Sequence, residues 1–125
     1  MENKIMVERQ EPIKSVCESE IVGILRRVCV PENGLGFKYM KEAVIMLLEK
    51  PELIFSITKE LYPAIAKICG SSSRRVERAI RYSIEIATLR APADELGAII
   101  GTGYSAVKGK PTNSEFLALV ANYIR

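Results

Sequence analysis

The chain has 125 residues, of which 48% are hydrophobic and 26% are charged, and its formal net charge is +3. This is the size and composition of one ordinary globular domain. It contains no histidine and a single aspartate, Asp94. Those two features exclude a Ser-His-Asp triad, a Cys-His dyad, imidazole metal ligands and the acidic pocket of a phosphate-accepting receiver domain. We therefore predict that the protein is not an enzyme, with no catalytic residue, no metal ligand and no cofactor.

The compartment is indicated by the hydrophobic pattern and the cysteines. No apolar run approaches the roughly 18 residues that cross a membrane, and residues 1–14 lack the hydrophobic core of a secretion signal. Cys17, Cys29 and Cys69 are odd in number and form no C-x-x-C pair. We interpret them as small buried hydrophobes in a reducing compartment. A cytoplasmic protein without a membrane partner is expected.

The expected fold is all-α, a compact bundle of about six helices. Residues 1–17 are charged and aperiodic, which predicts a polar tail or linker. Residues 18–125 are divided by Gly, Pro and Ser into helical stretches with no useful strand alternation. The predicted helices cover residues 19–28, 37–49, 63–69, 72–90 and 93–100 and a final stretch after Thr112, with a helical turn at 53–57 that fills the core.

Two helix boundaries carry specific signals. Gly70 ends the short helix at 63–69, and the serines at 71–73 are cap candidates for the longest helix. Thr112 and Glu115 have the spacing of a capping box, in which each side chain bonds the other's backbone N–H.

The segment around Gly70 has the spacing of a helix-turn-helix. Ala66 is small enough to let two helices cross closely, Gly70 permits a positive φ in the turn, and Val76 fills the angle between the helices. Ile65 and Ile68 are expected to complete the inner face of the first helix.

The helix at 72–90 concentrates the charge of the chain. It carries five arginines against two glutamates, a net +3 that equals the charge of the whole chain. Apolar or small residues recur at helical spacing and predict the buried face: Val76, Ala79, Ile80, Ser83, Ile84 and Ala87. A basic exposed face on one helix favours a polyanionic partner, and duplex DNA is the leading candidate.

Roles on DNA follow from the chemistry of the outward residues. Arg75 and Arg78 lie three apart and can each bind guanine O6 and N7, while Glu77 can accept from cytosine N4. We predict that phosphates are contacted by further cationic residues and Tyr82 of this helix, and by two lysines in or next to the Gly-rich loop at 101–109: Arg74, Arg81, Tyr82, Arg90, Lys108 and Lys110.

These motifs admit other interpretations. Arginine-rich helical faces are often only solvated, with Glu77 and Arg81 as an i,i+4 pair, although the helix-turn-helix spacing and the serine cap favour DNA. The glycines at 103 and 109 are one residue too far apart for a P-loop, and Pro111 stands where a magnesium-binding hydroxyl belongs. Residues 105–108 match the S-x-x-K motif of penicillin-recognising enzymes, but the companion motifs S-D-N and K-T-G are absent from the sequence.

At these same residues the sequence resembles the C-terminal effector domain of stage-zero sporulation protein A, the response regulator that commits endospore-forming bacteria to sporulation. The matching stretches are SITKELYPAIAK (56–67), RVERAIR (75–81) and KPTNSEF (110–116). Weaker similarity extends from about Ser19 to the C-terminus.

The resemblance implies that residues 18–125 are a helix-turn-helix effector domain of six helices that binds a short G/C-containing promoter box. In that family the equivalents of Arg75, Glu77 and Arg78 contact bases, and the domain often binds tandem boxes as a homodimer on DNA. It also touches the sigma subunit of RNA polymerase through the region after the recognition helix. The family's receiver domain has no counterpart here, and residues 91–109 diverge most.

Two functions remain open from the sequence. The first is a sequence-specific DNA-binding transcription regulator associated with the bacterial nucleoid. The second is a receiver-less helical protein-interaction module that binds a regulator or the sigma subunit. Affinity for DNA separates the two.

Overall fold

The computed structural model describes residues 18–100 and 110–125, and within them the chain forms six α-helices and no strand. The all-α prediction is confirmed. The helices are α1 (18–27), α2 (Leu35–Glu49), α3 (Tyr62–Cys69), α4 (Ser73–Arg90), α5 (Ala93–Ile100) and α6 (Asn113–Ile124). The predicted tail with Cys17, and the Gly-rich loop at 101–109 with Lys108, lie outside the described residues.

Helix α2 lies at the centre of the core and packs on α3, α4 and α6. Its apolar stripe includes Met40, Ala43 and Val44, which are fully buried. At its start, a Cβ on Gly36 would collide with Ser83 Oγ and lie 2.6 Å from the Ala79 carbonyl oxygen, both in α4. The absence of a side chain at residue 36 therefore lets α2 and α4 cross at close range.

Both predicted N-terminal caps are present. The Arg75 backbone N–H donates to Ser72 Oγ at 3.2 Å, so Ser72 caps α4. At α6, the Thr112 N–H donates to Glu115 Oε1 at 2.9 Å and the Glu115 N–H donates to Thr112 Oγ1 at 3.1 Å. These bonds satisfy backbone donors that a helix start otherwise leaves without partners.

The segment between α2 and α3 corrects one prediction. It is a 3₁₀ helix, Pro51–Ser56, followed by a π-helical turn, Ile57–Leu61, that leads into α3. The predicted helical turn at 53–57 is present, and Leu53, Ile54 and Ile57 pack against the core while only partly buried. The prediction that the whole turn fills the core is wrong at Phe55, which is 88% exposed. A 3₁₀ helix stacks residues three apart, so consecutive side chains cannot all point inward.

Two further expectations about burial are wrong. Ile68 is 61% exposed, because the inner stripe of α3 is Tyr62, Ile65, Ala66 and Cys69 and residue 68 falls outside that helical spacing. Cys29 and Cys69 are free and half-buried rather than buried. Cys29 follows the end of α1 and has φ 64. The backbone N–H groups of residues 28–30 donate to carbonyl oxygens of α1 and so complete the end of this helix.

Among the described helices, none is both long enough and apolar enough to cross a membrane.

Candidate nucleic-acid interface

The connection between α3 and α4 is a tight turn of three residues. Gly70 has φ 64 and ψ 44, in the left-handed region, and its N–H bonds to the Ala66 carbonyl oxygen. The Ser71 N–H donates to the same oxygen at 2.8 Å, and Ser72 is extended. Glycine adopts this conformation without the steric cost that a Cβ imposes. The predicted positive φ at residue 70 is confirmed.

Buried residues on both sides of the turn fix the angle between the two helices. Ala66 is 7% exposed and Val76 is fully buried. Helix α4 rests on an apolar underside, which consists of the residues predicted from the helical spacing. Ala79 is half-buried and the other five are buried. The pair α3–α4 has the arrangement expected of a helix-turn-helix, with α4 held from below and its opposite face open.

The open face of α4 carries the predicted arginines. Those at 74, 75, 78, 81 and 90 are all exposed, as is Tyr82, whereas Glu77 and Glu85 are half-buried. Within the described part of the chain, no carboxylate forms an ion pair with four of these arginines: Arg74, Arg75, Arg78 and Arg90. Their guanidinium donors are available to a ligand.

Arg81 differs from the other four. Its Nη1 donates to Glu77 Oε2 at 2.6 Å, the i,i+4 pair that the sequence suggested. An exposed helical pair of this kind contributes only about 0.3–0.5 kcal/mol. A phosphate or a base edge can therefore compete for either partner.

Lys110, which lies in the segment before α6, also contacts α4. Its Nζ lies 2.6 Å from Glu85 Oε2. The hydrogen bond and the charge of Lys110 lower the pKa of the Glu85 carboxyl. The ion pair places the Lys110 side chain beside the middle of the basic helix.

Asn113 contacts both helices of the turn, which the sequence did not predict. Its Nδ2 donates to Tyr62 Oη at 3.0 Å and to the Glu77 carbonyl oxygen at 3.1 Å. The capping box predicts that Asn113 occupies the first position of α6. No local signal indicates that its amide reaches α3 and α4, which are 51 and 36 residues away in sequence.

An open cleft of about 830 Å³ runs beside α4, between the 3₁₀ and π segments and the start of α6. Its lining includes Lys59, Arg81 and Lys110 with Glu77 as the one carboxylate. Lys59, which the sequence did not single out, adds a positive charge next to the arginine face. Arg81 and Lys110 are each paired with a glutamate of α4, so Lys59 is the lining cation without an ion pair in the described residues.

These features define the class of the domain, which is all-helical and consistent with a helix-turn-helix. Its basic helix α4 is capped by Ser72, follows the Gly70 turn and is supported on an apolar underside. Residues 21–124 match the family model described as "Sporulation initiation factor Spo0A C terminal". The match covers most of the chain, so the protein belongs to this family of DNA-binding effector domains that regulate transcription in sporulation. The resemblance seen at 56–67, 75–81 and 110–116 is confirmed.

Proposed function

We propose that this chain binds duplex DNA sequence-specifically, with residues 72–90 as the recognition helix in the major groove. The observation that carries the proposal is the set of exposed arginines on α4 without an ion pair in the described part of the chain. An isolated surface helix gains nothing from unpaired like charges, whereas a phosphate-lined groove is stabilised by them.

Bases are read by the first turns of α4. Arg75 and Arg78 are exposed and unpaired, so each can present its planar fork to guanine O6 and N7. Glu77 accepts from cytosine N4 after its weak pair with Arg81 is exchanged. The exchange frees Arg81 for a phosphate at the same time.

The phosphate contacts surround this centre. Arg74 and Arg90 lie towards the two ends of α4, and Tyr82 is 61% exposed on its outer face. Lys110 is drawn towards α4 by Glu85, and Lys108 precedes it in the chain. Backbone contacts of this kind fix the register of the helix on the duplex without reading sequence.

The proposals on the limits, location and assembly of the domain rest on its membership of the family. We propose that residues 18–125 form the effector domain, that residues 1–17 precede it as a tail or linker, and that it acts in the cytoplasm at the bacterial nucleoid. Homodimers would form on tandem promoter boxes, and the region after α4 would contact the sigma subunit of RNA polymerase.

Selection of binding sites from random duplexes tests the proposal. The chain should enrich a short G/C-containing box, and Arg75→Ala should relax the base preference at one position and cost about 1–3 kcal/mol of binding. Arg81→Ala should weaken all duplexes alike and lower the salt slope by about 1. Arg26→Ala is the matched control, because Arg26 is an exposed arginine on α1 that pairs with Glu32 at 2.9 Å. Failure to enrich any box would reject the proposal.

One observation favours the protein-interaction alternative. Leu89 is 82% exposed and Tyr82 is 61% exposed, seven residues apart on α4. Exposed large apolar side chains on one helix face suit a protein partner. Binding of the chain to a purified sigma subunit in the absence of DNA, abolished by Leu89→Ala, would support it, and no binding would leave DNA as the partner of this face.

A further inference from the structure

Asn113 joins three helices through a single side-chain amide. It is the first residue of α6, and its Nδ2 donates one hydrogen bond to α3, at Tyr62 Oη, and one to α4, at the Glu77 carbonyl oxygen. Both protons of the amide nitrogen are therefore used on the two helices of the turn.

The surroundings hold this amide in place. The capping box formed by Thr112 and Glu115 fixes the backbone on either side of Asn113. Tyr62 is only 5% exposed, so its hydroxyl is fixed by packing and meets the amide in a partly shielded environment. Hydrogen bonds that exclude water are held more firmly than exposed ones.

The bond to Glu77 acts at the level of the base-reading residues. The Glu77 carbonyl belongs to the turn of α4 that carries Arg75 and Arg78. A backbone atom, unlike a side chain, cannot move without moving the helix. The depth and rotation of this turn of α4 are thus tied to α3 and α6 at one point.

We propose that Asn113 is a positioning residue for base recognition, which seats the first two turns of α4 so that Arg75 and Arg78 meet the base edges. The inference rests on the proposed function. Bidentate contacts tolerate little misplacement, whereas long cationic side chains reach phosphates from a shifted helix. Loss of Asn113 should therefore reduce the preference for the cognate box more than general affinity for DNA.

The DNA experiment compares two asparagines of the same helix. Asn113→Ala and Asn122→Ala are the same substitution at two positions of α6. Asn122 bonds only to Arg125 in the described residues, so it serves as the matched control. Binding is measured on the selected duplex and on a duplex with the same bases scrambled, with each protein's active fraction determined by stoichiometric titration. Asn113→Ala should lower the ratio of the two affinities about tenfold, given two hydrogen bonds lost, with an unchanged salt slope. Asn122→Ala should change the ratio less than about twofold.

The outcomes separate the two proposals. A wild-type chain that selects no duplex rejects the proposed function and the positioning role with it. A wild-type chain that selects a box while Asn113→Ala keeps the full affinity ratio rejects the positioning role alone. Tyr62→Phe, which removes one acceptor and keeps the bond to Glu77, should reduce the ratio by a smaller factor, about threefold.

A signature independent of DNA tests the contact itself. Burial raises the pKa of Tyr62, and the hydrogen bond from Asn113 opposes that rise because it stabilises the phenolate. Glu77 and Arg81 also face the hydroxyl and remain in the variant. Titration of the Tyr62 ring followed by ¹³C NMR should show a higher pKa in Asn113→Ala than in the wild type. An unchanged pKa would overturn the inference in a chain of any DNA affinity.

Discussion

Two arginines of this molecule lie in different environments, one in α1 and one in α4. Arg27 in α1 donates from Nε and Nη2 to Glu95 Oε2, at 3.2 and 2.7 Å, and from Nη1 to Tyr123 Oη at 3.4 Å. Arg78 in α4 has no ion-pair partner among the residues that the structure describes. One guanidinium is used internally and the other is left open.

The two side chains carry the same charge and differ in how many of their donors are already used inside the protein. The hydrogen bond to Glu95 is the main reason why the pKa of Arg27 is raised further above its ordinary value. That arginine connects α1 to α5 and α6, so it has few donors left for a ligand. Arg74, Arg75, Arg78 and Arg90 form no ion pair within the described residues, so their donors do not hold other helices in place.

The largest expected effect concerns the support beneath the open face. Ile80 is fully buried under α4, so Ile80→Ala should lower the free energy of unfolding by about 2–5 kcal/mol. Arg74→Ala, on the opposite face, should change it by less than about 0.5 kcal/mol. Urea denaturation of both variants measures the contrast, and equal losses would contradict the assignment of the two faces.

The second prediction compares the removal of an unpaired arginine of α4 with the removal of the paired arginine of α1. Arg78→Ala should weaken binding to the selected box by about 1–3 kcal/mol and leave thermal stability nearly unchanged. Arg27→Ala should lower the melting temperature and leave DNA affinity within about twofold. Fluorescence anisotropy and thermal melts on the same samples decide it. A loss of affinity on removing Arg27 would place DNA elsewhere on the molecule.

The third prediction concerns the turn that aims α4. Gly70→Ala forces a Cβ into a left-handed conformation and should cost about 1–2 kcal/mol of stability. Gly97→Ala is the matched control, because Gly97 lies inside α5 with space for a Cβ. It should stabilise the domain by up to about 1 kcal/mol. Chemical denaturation that shows the same sign for both would refute the role of Gly70.

The smallest effect is the pH dependence of the contact between α4 and the segment before α6. Lys110 lowers the pKa of Glu85 in the folded state below its ordinary value of 4.5. The contribution to stability is therefore full above 4.5 and is lost as the pH falls through the lower, folded-state value. Glu85→Gln should flatten the acid side of the stability profile slightly.

The control for this last prediction is Glu49→Gln, an exposed glutamate without an ion pair in the described residues. It should leave the difference between stability at pH 3 and pH 7 closer to that of the wild type. A larger change at Glu49 than at Glu85 would argue against the Lys110 contact in solution.

Local physics made much of α4 predictable. The serine cap, the glycine in the turn and the buried stripe are set by neighbours within one or two helical turns, so periodicity and cap chemistry identify them. The capping box at Thr112 and Glu115 was predictable for the same reason.

The contacts that complete the site were not predictable from sequence. Asn113 meets Tyr62 across 51 residues, and Arg27 meets Glu95 across 68. Helix packing decides these pairs, and no local pattern records it. Hydrophobicity predicts that Ile68 and Phe55 are buried, but both are exposed, because hydrophobicity does not say which side of a short helix a neighbour will cover.

We propose that the unpaired arginines of α4, and not the paired arginine of α1, contact DNA. The most direct measurement is the NMR shift of each arginine Nε–Hε resonance as the selected duplex is added to the full chain. The signals of Arg75 and Arg78 should move and saturate at the binding stoichiometry while the signal of Arg27 stays in place. Movement of Arg27 with no change at Arg75 and Arg78 would contradict the account.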